Sequence, residues 1–425
     1  MTYDKALEFI HSVSSLGSIP GLERIRKLLE LLGNPEKELR FIQVAGTNGK
    51  GSVSSMLSSV LTKSGYKTGL YTSPFILDFN ERIAVDGEMI SDSSLAEITE
   101  HVRSFAEKMG SSPTEFELIT AIGFEYFKRQ KCDVVVLEAG MGGRFDATNT
   151  AENTILSIIT GVSLDHTDYL GDTVEKIAWE KAGIIKPNSA VLFGGGDEGV
   201  TSVIKKEAKE KSARLYVSDK KNISVISSSL SGSVFNYKNR KEVAVSLIGS
   251  YQPENAAVVL DACDILKDIG FKLSEENIRA SLSKASWRAR MEILSKKPLV
   301  IYDGGHNPEG ICASTKSIKG LFGGKVLVVM GIMRDKDYRF IIGKISDIAE
   351  KVYCVTPDNP RSLKAEVLAE EFRKSGFENA VSFDSIKDAL TSAFKDAEKK
   401  NTPIFAAGSL YMYKEVYENV KEMQK

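Results

Sequence analysis

Cysteine is scarce in this chain of 425 residues. The four cysteines, Cys132, Cys263, Cys312 and Cys354, lie far apart, and no C-x-x-C pair occurs. This spacing excludes a disulfide scaffold and gives no zinc-binding pattern. We expect buried thiols in a reducing compartment.

An excess of charge is also absent. Lysine and arginine total 56 and acidic residues total 57, which leaves a formal net charge of -1. This balance gives no support to nucleic-acid or membrane binding through bulk charge. No apolar run approaches the ~18 residues that span a bilayer. The start of the chain, MTYDKALEFIHSV, has acidic residues and no apolar core of signal-peptide length. We therefore expect a cytoplasmic protein without nucleic-acid or membrane partners.

Strand-like runs alternate with helical ones along most of the sequence, which predicts an α/β fold with parallel layers. The length favours two domains. We predict that residues 1–295 form a P-loop-type parallel sheet domain with a small antiparallel subsheet, placed within residues 190–250. We predict a second, Rossmann-like α/β domain at 296–425, which begins with the Lys-Lys-Pro sequence at residues 296–298.

A glycine-rich stretch, GTNGKGS, occupies residues 46–52 between a strand-like and a helical run. Glycines let successive backbone N–H groups face phosphate oxygens, and the following helix N-terminus adds positive potential. Lys50 would contact outer phosphates and Ser52 would offer a hydroxyl to Mg²⁺. The stretch departs from the usual phosphate-loop pattern at Val44 and Gly51. An ordinary glycine-rich turn is the alternative, and the flanking strand and helix favour the phosphate loop.

Other candidate residues follow or lie near predicted strands. Glu138 ends a strand of β-branched residues and could hold Mg²⁺, or it could cap a helix or form an ion pair. His166 follows another strand and could complete a metal shell, although a lone histidine is more often structural. Arg144, among glycines, could bind an anionic substrate or lie in solvent. The position of Lys181 near a helix end is explained by the favourable interaction of a cation with the helix dipole alone.

The sequence DGGHNP at 303–308 follows a strand of the second domain. Asp303 and His306 could act as a carboxylate–imidazole pair. The alternative is a turn in which Asn307 and Pro308 begin a helix.

Several motifs taken together resemble one family. They are GTNGKGS (46–52), YTSP (71–74), TEFE (114–117), LEAGMGGRFDATN (137–149), DHTDYLG (165–171), WEKAGIIK (179–186), DGGHNP (303–308) and GSLY (408–411). Their identity and order resemble folylpolyglutamate synthase / dihydrofolate synthase, of the Mur ligase superfamily, over nearly the whole chain.

The resemblance implies an ATP-dependent ligase that adds L-glutamate to the terminal carboxylate of a folate or of dihydropteroate. The carboxylate takes the γ-phosphate of ATP, and the amine of glutamate then displaces phosphate. The same resemblance implies one or two Mg²⁺ ions as cofactor, small-molecule partners only, and a monomer.

The resemblance also implies roles for individual residues. Nucleotide contacts fall on Thr47, Asn48, Gly49, Lys50, Gly51, Ser52, Asn255, Arg290 and Asp303. Metal contacts fall on Ser52, Ser73, Glu138, His166 and Lys181, the last matching a lysine that is carbamylated in such ligases. Substrate contacts fall on Phe116, Glu117, Arg144, Asp146, His306 and Ser409. The catalytic set is Lys50, Lys181, Asp303 and His306.

The chain departs from the family pattern at a few positions. Phe75 stands where relatives usually have histidine, and Tyr251 stands where they have the histidine of HQ-x-x-N. Arg290 is kept, although the residues on either side of it differ from the family pattern, and DGGHNP replaces DGAHNP.

The two rival functions are a ligase of cell-wall precursors and a nucleotide switch. A ligase of cell-wall precursors is disfavoured by TEFE and LEAGMGGRFDATN. A nucleotide switch is disfavoured because no N-K-x-D stretch occurs and because DGGHNP would have no role.

Overall fold

The computed structural model describes residues 1–13 and 20–424. The chain divides into two compact units. Unit 1 comprises residues 1–223 and 254–285, and unit 2 comprises residues 224–253 and 286–425. In the described part of the chain, no helix has both the length and the apolar character needed to cross a membrane.

Unit 1 contains an eight-stranded sheet in the order β4-β3-β2-β5-β1-β6-β7-β8. Neighbouring strands are parallel from β2 through β8, and β3 and β4 form an antiparallel edge. The central strands are wholly buried runs of apolar, largely β-branched residues, as expected of a parallel sheet covered on both faces. The strands are β1 (Phe41–Ala45), β2 (Thr68–Tyr71), β3 (Ile83–Val85), β4 (Glu88–Met89), β5 (Val134–Glu138), β6 (Thr154–Ile159), β7 (Ala190–Phe193) and β8 (Arg214–Val217).

The helices of this part begin mostly at residues that cap them. Thr114, for example, forms a capping box with Glu117, which fixes the start of the helix that follows. The helices are α1 (Tyr3–Ser12), α2 (Glu23–Leu31), α3 (Lys50–Lys63), α4 (Asp92–Ala106), α5 (Glu115–Arg129), α6 (Thr167–Leu170), α7 (Val174–Ala182), α8 (Glu198–Glu210), α9 (Gln252–Asp268) and α10 (Glu275–Leu282). Short 3₁₀ helices occupy Pro35–Glu38, Phe79–Arg82, Ala147–Thr150 and Lys220–Asn222.

The next strands form two further sheets. The first has the order β11-β10-β9 and the second has the order β12-β13-β17-β14-β15-β16, antiparallel only between β12 and β13. The strands are β9 (Ile223–Ser229), β10 (Gly232–Tyr237), β11 (Arg240–Val245), β12 (Glu292–Lys296), β13 (Leu299–Asp303), β14 (Val326–Met330), β15 (Ala349–Cys354), β16 (Ala380–Ser382) and β17 (Ile404–Ala407). The helices are α11 (Pro308–Phe322), α12 (Tyr338–Ser346), α13 (Ala365–Lys374), α14 (Ile386–Lys400) and α15 (Tyr413–Met423), with a 3₁₀ helix at Leu410–Met412.

The predicted α/β class, with one large parallel-dominated sheet and a second mixed sheet, is confirmed. The predicted cut at residue 295 differs from the division observed. Residue 295 lies inside β12, which pairs with β13, so the edge of the second sheet begins before the cut. Residues 224–253, assigned by prediction to the first domain, belong to unit 2.

The predicted antiparallel subsheet at 190–250 is smaller than expected. Its first two strands, β7 and β8, are parallel members of the main sheet of unit 1. The antiparallel pairing in this region joins β10 to β11. Short strands in a polar stretch resemble hairpins in sequence, and only their pairing partners distinguish the two cases.

Candidate active site

Four neighbouring parallel strands of unit 1 end at one edge of the sheet. Tyr71 at the end of β2 pairs with Leu137, Glu138 at the end of β5 pairs with Val44, and Ala45 at the end of β1 pairs with Ile159. The segments that follow these strands carry the glycine loop and the predicted metal residues. Ligands of open parallel sheets bind at this carboxyl edge, so the topology brings the predicted residues together.

The glycine loop adopts a backbone that requires glycine at two positions. Gly46 has φ 151° and Gly49 has φ 87°. A Cβ on Gly46 would come within 1.9 Å of the hydroxyl oxygen of Thr160, and one on Gly49 within 2.6 Å of the amide oxygen of Asn255. The close approach of Asn255 places this predicted nucleotide residue beside the loop.

Hydrogen bonds fix the shape of the loop. The Thr160 hydroxyl donates to the carbonyl of Asn48 at 2.7 Å, and the Thr47 hydroxyl donates to the carbonyl of Ser163 at 3.1 Å. Lys50 is the first residue of α3, and its ammonium donates to the carbonyls of Gly46 and Thr47 at 3.0 and 3.2 Å. Lys50 thus lies over the loop, at the helix N-terminus where anions bind. Ser52, in the first turn of α3, is buried.

Lys181 is buried at the end of α7 and lines a small recess together with the loop residues Gly46, Thr47 and Lys50. Burial, and then the positive charge of Lys50, lower the pKa of Lys181 to about 7, against the opposing effect of Asp165. The sequence pattern offered no reason to select this lysine, because its burial depends on segments distant in the chain. Carbon dioxide reacts with the uncharged amine of a lysine. The lowered pKa leaves much of the Lys181 amine in this form at neutral pH.

A larger pocket of about 250 Å³ adjoins the recess, since Gly140 and Met141 line both. Its wall is mainly apolar and aromatic, with a few polar groups, which is the usual composition of a small-molecule site. Among its lining residues are Ser73, Thr114, Phe116, Glu117, Phe145, Asp146 and Tyr169. Three predicted substrate residues, Phe116, Glu117 and Asp146, are therefore in one pocket.

The two carboxylates of this pocket are held by neighbouring groups. The Glu117 carboxylate accepts hydrogen bonds from the backbone N–H of Thr114 at 2.7 Å and from the Arg24 guanidinium at 3.1 Å. Asp146 accepts from the backbone N–H groups of Met141 and Thr148, while burial raises its pKa. Both side chains shape the pocket wall through these contacts.

Arg144, the predicted anion-binding residue, does not line this pocket. Its guanidinium forms an ion pair of 2.9 Å with Glu207, donates to the carbonyl of Trp179 and lies 3.8 Å from the Trp179 ring centroid. The arginine therefore joins the loop after β5 to α7 and α8. Its contacts within the described residues are structural.

The predicted metal residues do not form a site by themselves. No cluster of three or more His, Cys, Asp or Glu side chains suited to a metal occurs among residues 1–13 and 20–424. Glu138 is buried at the end of β5. His166 is exposed, and its backbone is in the left-handed region with φ 50°. Mg²⁺ binds few protein ligands and completes its coordination shell with water and phosphate oxygens. Suitable ligands here are the hydroxyls of Ser52 and Ser73 and the carboxylate of Glu138. The donor set fits Mg²⁺ held jointly with phosphates.

In unit 2, the predicted residues follow two adjacent parallel strands. Asp303 ends β13 and pairs in register with Ala407 of β17. His306 follows β13 and contacts the carbonyl of Gly304 through Nδ1 at 3.0 Å. Ser409 follows β17, where it is buried and caps the next turn.

Asp303 is buried and surrounded by donors of its own unit. It accepts from the backbone N–H groups of Gly305 and Met291 at 2.9 and 3.0 Å, and from the Tyr251 hydroxyl at 3.1 Å. Burial raises the pKa of Asp303, and the nearby charge of Arg290 opposes this rise. Tyr251, a departure from the family pattern, therefore has a partner here, and Asp303 anchors the segment that carries Arg290.

Two family models match the chain. The Mur ligase middle domain covers residues 44–263, and the glutamate ligase domain of Mur ligases covers residues 289–410. The chain is 36% identical to the folylpolyglutamate synthase of Lacticaseibacillus casei over 428 residues, covering 97% of each. It belongs to the folylpolyglutamate synthase family of Mur ligases. It is also 35% identical to the dihydrofolate synthase/folylpolyglutamate synthase of Bacillus subtilis, covering 99% of each.

Solved structures of this family have the same fold. The folylpolyglutamate synthase of Thermotoga maritima superimposes with a TM-score of 0.85 at 34% identity, over 99% of this chain and 96% of that one. The FolC protein of Escherichia coli, in complex with DHPP and ADP, gives a TM-score of 0.89 at 32% identity, over 100% and 99%. The resemblance inferred from the motifs is confirmed, and with it the class of ATP-dependent ligase.

Some residues near the site are not among those predicted from the motifs. Met141, Phe145 and Tyr169 line the larger pocket but are not among the predicted substrate residues, although each lies inside a recognised motif. Arg82 contacts Ser73 and lies outside those motifs. Its sequence context, FNERIAV, carries no signal beyond a short turn before a strand.

Proposed function

We propose that this protein catalyses the ATP-dependent addition of L-glutamate to the terminal carboxylate of a folate, and of dihydropteroate, through an acyl phosphate. The observation that carries the proposal is the junction at Gly140 and Met141. There the recess of the phosphate loop adjoins an apolar pocket that suits a flat aromatic acid. A carboxylate at this junction would be within reach of a phosphate held by the loop.

The loop supports transfer of a phosphoryl group. Backbone N–H groups at the start of α3 and the ammonium of Lys50 would stabilise the charge on the moving group. Lys50 lies on the loop carbonyls, so it would need only a short movement to reach a phosphate. Thr47, Asn48, Gly49, Gly51 and Ser52 complete this cradle in the proposal, with Asn255 beside it.

Mg²⁺ would neutralise phosphate charge and polarise the transferring oxygens when bound. Ser52, Ser73, Glu138 and His166 are the residues proposed to hold it. Carbamylation of Lys181 would add a carboxylate and remove a positive charge next to Lys50. The lowered pKa of Lys181, about 7, supports this modification because it leaves much of the amine neutral.

The residues of unit 2 stay part of the proposal. Arg290 and Asp303 are assigned to the nucleotide, and His306 and Ser409 to glutamate. The clustering of Asp303, His306 and Ser409 at adjacent strand ends supports a shared role. The balanced charge and the burial of Cys132, Cys263 and Cys354 support a cytoplasmic protein. We propose that it is a monomer.

The test is glutamate incorporation by the purified protein with ATP and Mg²⁺, using dihydropteroate and tetrahydrofolate side by side. We expect ADP, phosphate and one new amide bond per turnover with at least one acceptor, and the comparison tells which reaction the enzyme performs. ATP hydrolysis stimulated by a cell-wall nucleotide precursor, with no response to either pterin acceptor, would contradict the proposal.

A further inference from the structure

Arg82 is a buried cation behind the wall of the apolar pocket. It ends the 3₁₀ helix Phe79–Arg82, immediately before β3, and is only 8% exposed. Its Nη1 donates to the hydroxyl oxygen of Ser73 at 3.1 Å. Because Ser73 lines the pocket, the guanidinium lies one side chain away from the pocket interior.

Two aromatic rings lie on the same side of the Arg82 guanidinium, with their centroids 5.6 Å apart. Its Cζ lies 5.1 Å from the ring centroid of Phe75 and 5.6 Å from that of Phe79. These cation–π contacts leave the N–H groups of Arg82 available for hydrogen bonds. Phe75 stands where the family pattern has histidine, so this chain has an apolar cover on Arg82 in place of a second basic group.

The hydrogen-bonding capacity of Arg82 is mostly unused. Within the described residues, its Nε is buried without a hydrogen-bond partner, and none of the ion pairs includes Arg82. Burial lowers the pKa of Arg82 and the negative charges of Glu115 and Glu138 oppose this shift, but neither carboxylate lies within ion-pair distance of it. Arginine stays charged in proteins, and a buried charge without a close counter-ion is unfavourable. A bound anion would supply that counter-ion.

The Nε of Arg144 is also buried without a hydrogen-bond partner, but its guanidinium forms an ion pair with Glu207 and lies against the Trp179 ring. Among the described residues, the close counter-ion is what distinguishes Arg144 from Arg82. We propose that Arg82, and not Arg144, binds the carboxylate of the molecule in the apolar pocket, and so positions that carboxylate for activation. This inference rests on the proposed function, since it names the residue that recognises the reacting group. A carboxylate matches the fork of N–H groups on a guanidinium.

The test compares two ligands that differ only in charge. Pteroate carries the carboxylate, and pteroamide has a neutral amide at the same place. Binding of each is measured without ATP, by calorimetry, for the wild type, Arg82→Gln and Arg103→Gln. Arg103 is an exposed arginine of α4 paired with Glu107 and serves as the matched control.

We expect Arg82→Gln to weaken pteroate binding by about 10- to 100-fold, the range of a lost charge-assisted hydrogen bond, and to leave pteroamide binding unchanged. Arg103→Gln should match the wild type with both ligands. Equal weakening of both ligands would show that Arg82 only supports the pocket wall, and unchanged pteroate binding would show no role. Either result overturns the inference.

Arg82→Lys covers the case in which the glutamine variant does not fold, as judged by circular dichroism. It keeps the charge but loses the fork, so pteroate binding should fall by roughly 3- to 10-fold with pteroamide unaffected. Wild-type affinity for pteroate in this variant would contradict the inference. The proposed function fails separately, if the wild-type protein binds neither ligand or forms no glutamyl product.

Discussion

Each of the two units has a sheet edge formed by the carboxyl ends of parallel strands. The two edges differ in the charged side chains they carry and in the partners of those side chains. At the edge in unit 1, the Lys50 ammonium donates to two backbone carbonyls, and Arg82 contacts a hydroxyl and two rings. At the edge in unit 2, Asp303 accepts three hydrogen bonds from its own unit. One edge keeps cationic groups that can take up anions, whereas the other uses its acid to hold the polypeptide.

This difference separates activity from stability. Replacement of a lysine that contacts backbone carbonyls removes the donor itself, so no buried donor is left unpaired. A buried carboxylate with several donors cannot be removed in this way, because the donors are then left without acceptors. Substitutions at the edge in unit 1 should therefore alter ligand chemistry, and those at Asp303 should first alter stability.

The largest effect is expected for Lys50→Ala. We expect turnover to fall by about 10²- to 10³-fold or more, as for loss of one group that stabilises transition-state charge. The unfolding transition should stay near that of the wild type. Steady-state phosphate release and thermal unfolding measure the two quantities. Lys63→Ala, an exposed lysine at the other end of α3, is the control, and wild-type turnover in Lys50→Ala would refute the role.

Lys181→Ala should also lose activity, by roughly 10²-fold, and a short carboxylic acid should restore part of it. The reason is that the missing group in the proposal is a carboxylate. The glutamate-incorporation assay with and without added acetate or formate measures the rescue. Full activity without any additive would count against carbamylation.

The carbamate itself should depend on pH. With a pKa of about 7, the amine of Lys181 is neutral above this pH and becomes protonated below it. Since only the neutral amine reacts with carbon dioxide, the carbamate signal in ¹³C-labelled bicarbonate should fall as pH drops through 7. Lys186 is partly buried, desolvation lowers its pKa to about 8, and it donates two hydrogen bonds to Asn149. Lys181→Met therefore identifies which lysine gives the signal. A signal that persists in Lys181→Met would contradict the assignment.

Asp303→Asn tests the edge in unit 2. The amide can accept through one atom only, so a buried N–H of Met291 or Gly305 loses its acceptor. We expect a loss of about 1–3 kcal/mol in the free energy of unfolding, the cost of one unsatisfied buried donor. Denaturant unfolding followed by circular dichroism measures it. Unchanged stability, with activity alone reduced, would mean that the contrast between the two edges is wrong.

The smallest effect is expected for Tyr251→Phe. This change removes one donor to Asp303, and the other two remain, so the loss should be about 1 kcal/mol. Double-mutant analysis with Asp303→Asn should give a non-additive sum, because the two side chains share one hydrogen bond. An additive sum would show that the contact is not formed in solution.

The sequence predicted best what depends on neighbouring residues. GTNGKGS between a strand and a helix, and Glu138 at the end of an apolar run, follow from patterns within a few residues. The predicted boundary at 295 falls inside β12, which is recognisable only by its pairing with β13. Lys181 and Arg82 could not be selected from local pattern, since burial by distant segments gives them their properties.

The most direct test of the central claim follows an oxygen atom. In the proposed reaction, the acceptor carboxylate takes a phosphoryl group at the edge in unit 1 before glutamate attacks. Dihydropteroate or tetrahydrofolate labelled with ¹⁸O in that carboxylate is turned over with unlabelled ATP, and the phosphate is analysed by mass spectrometry. We expect one ¹⁸O atom in each phosphate released. Phosphate without ¹⁸O, formed together with the glutamyl product, would contradict it.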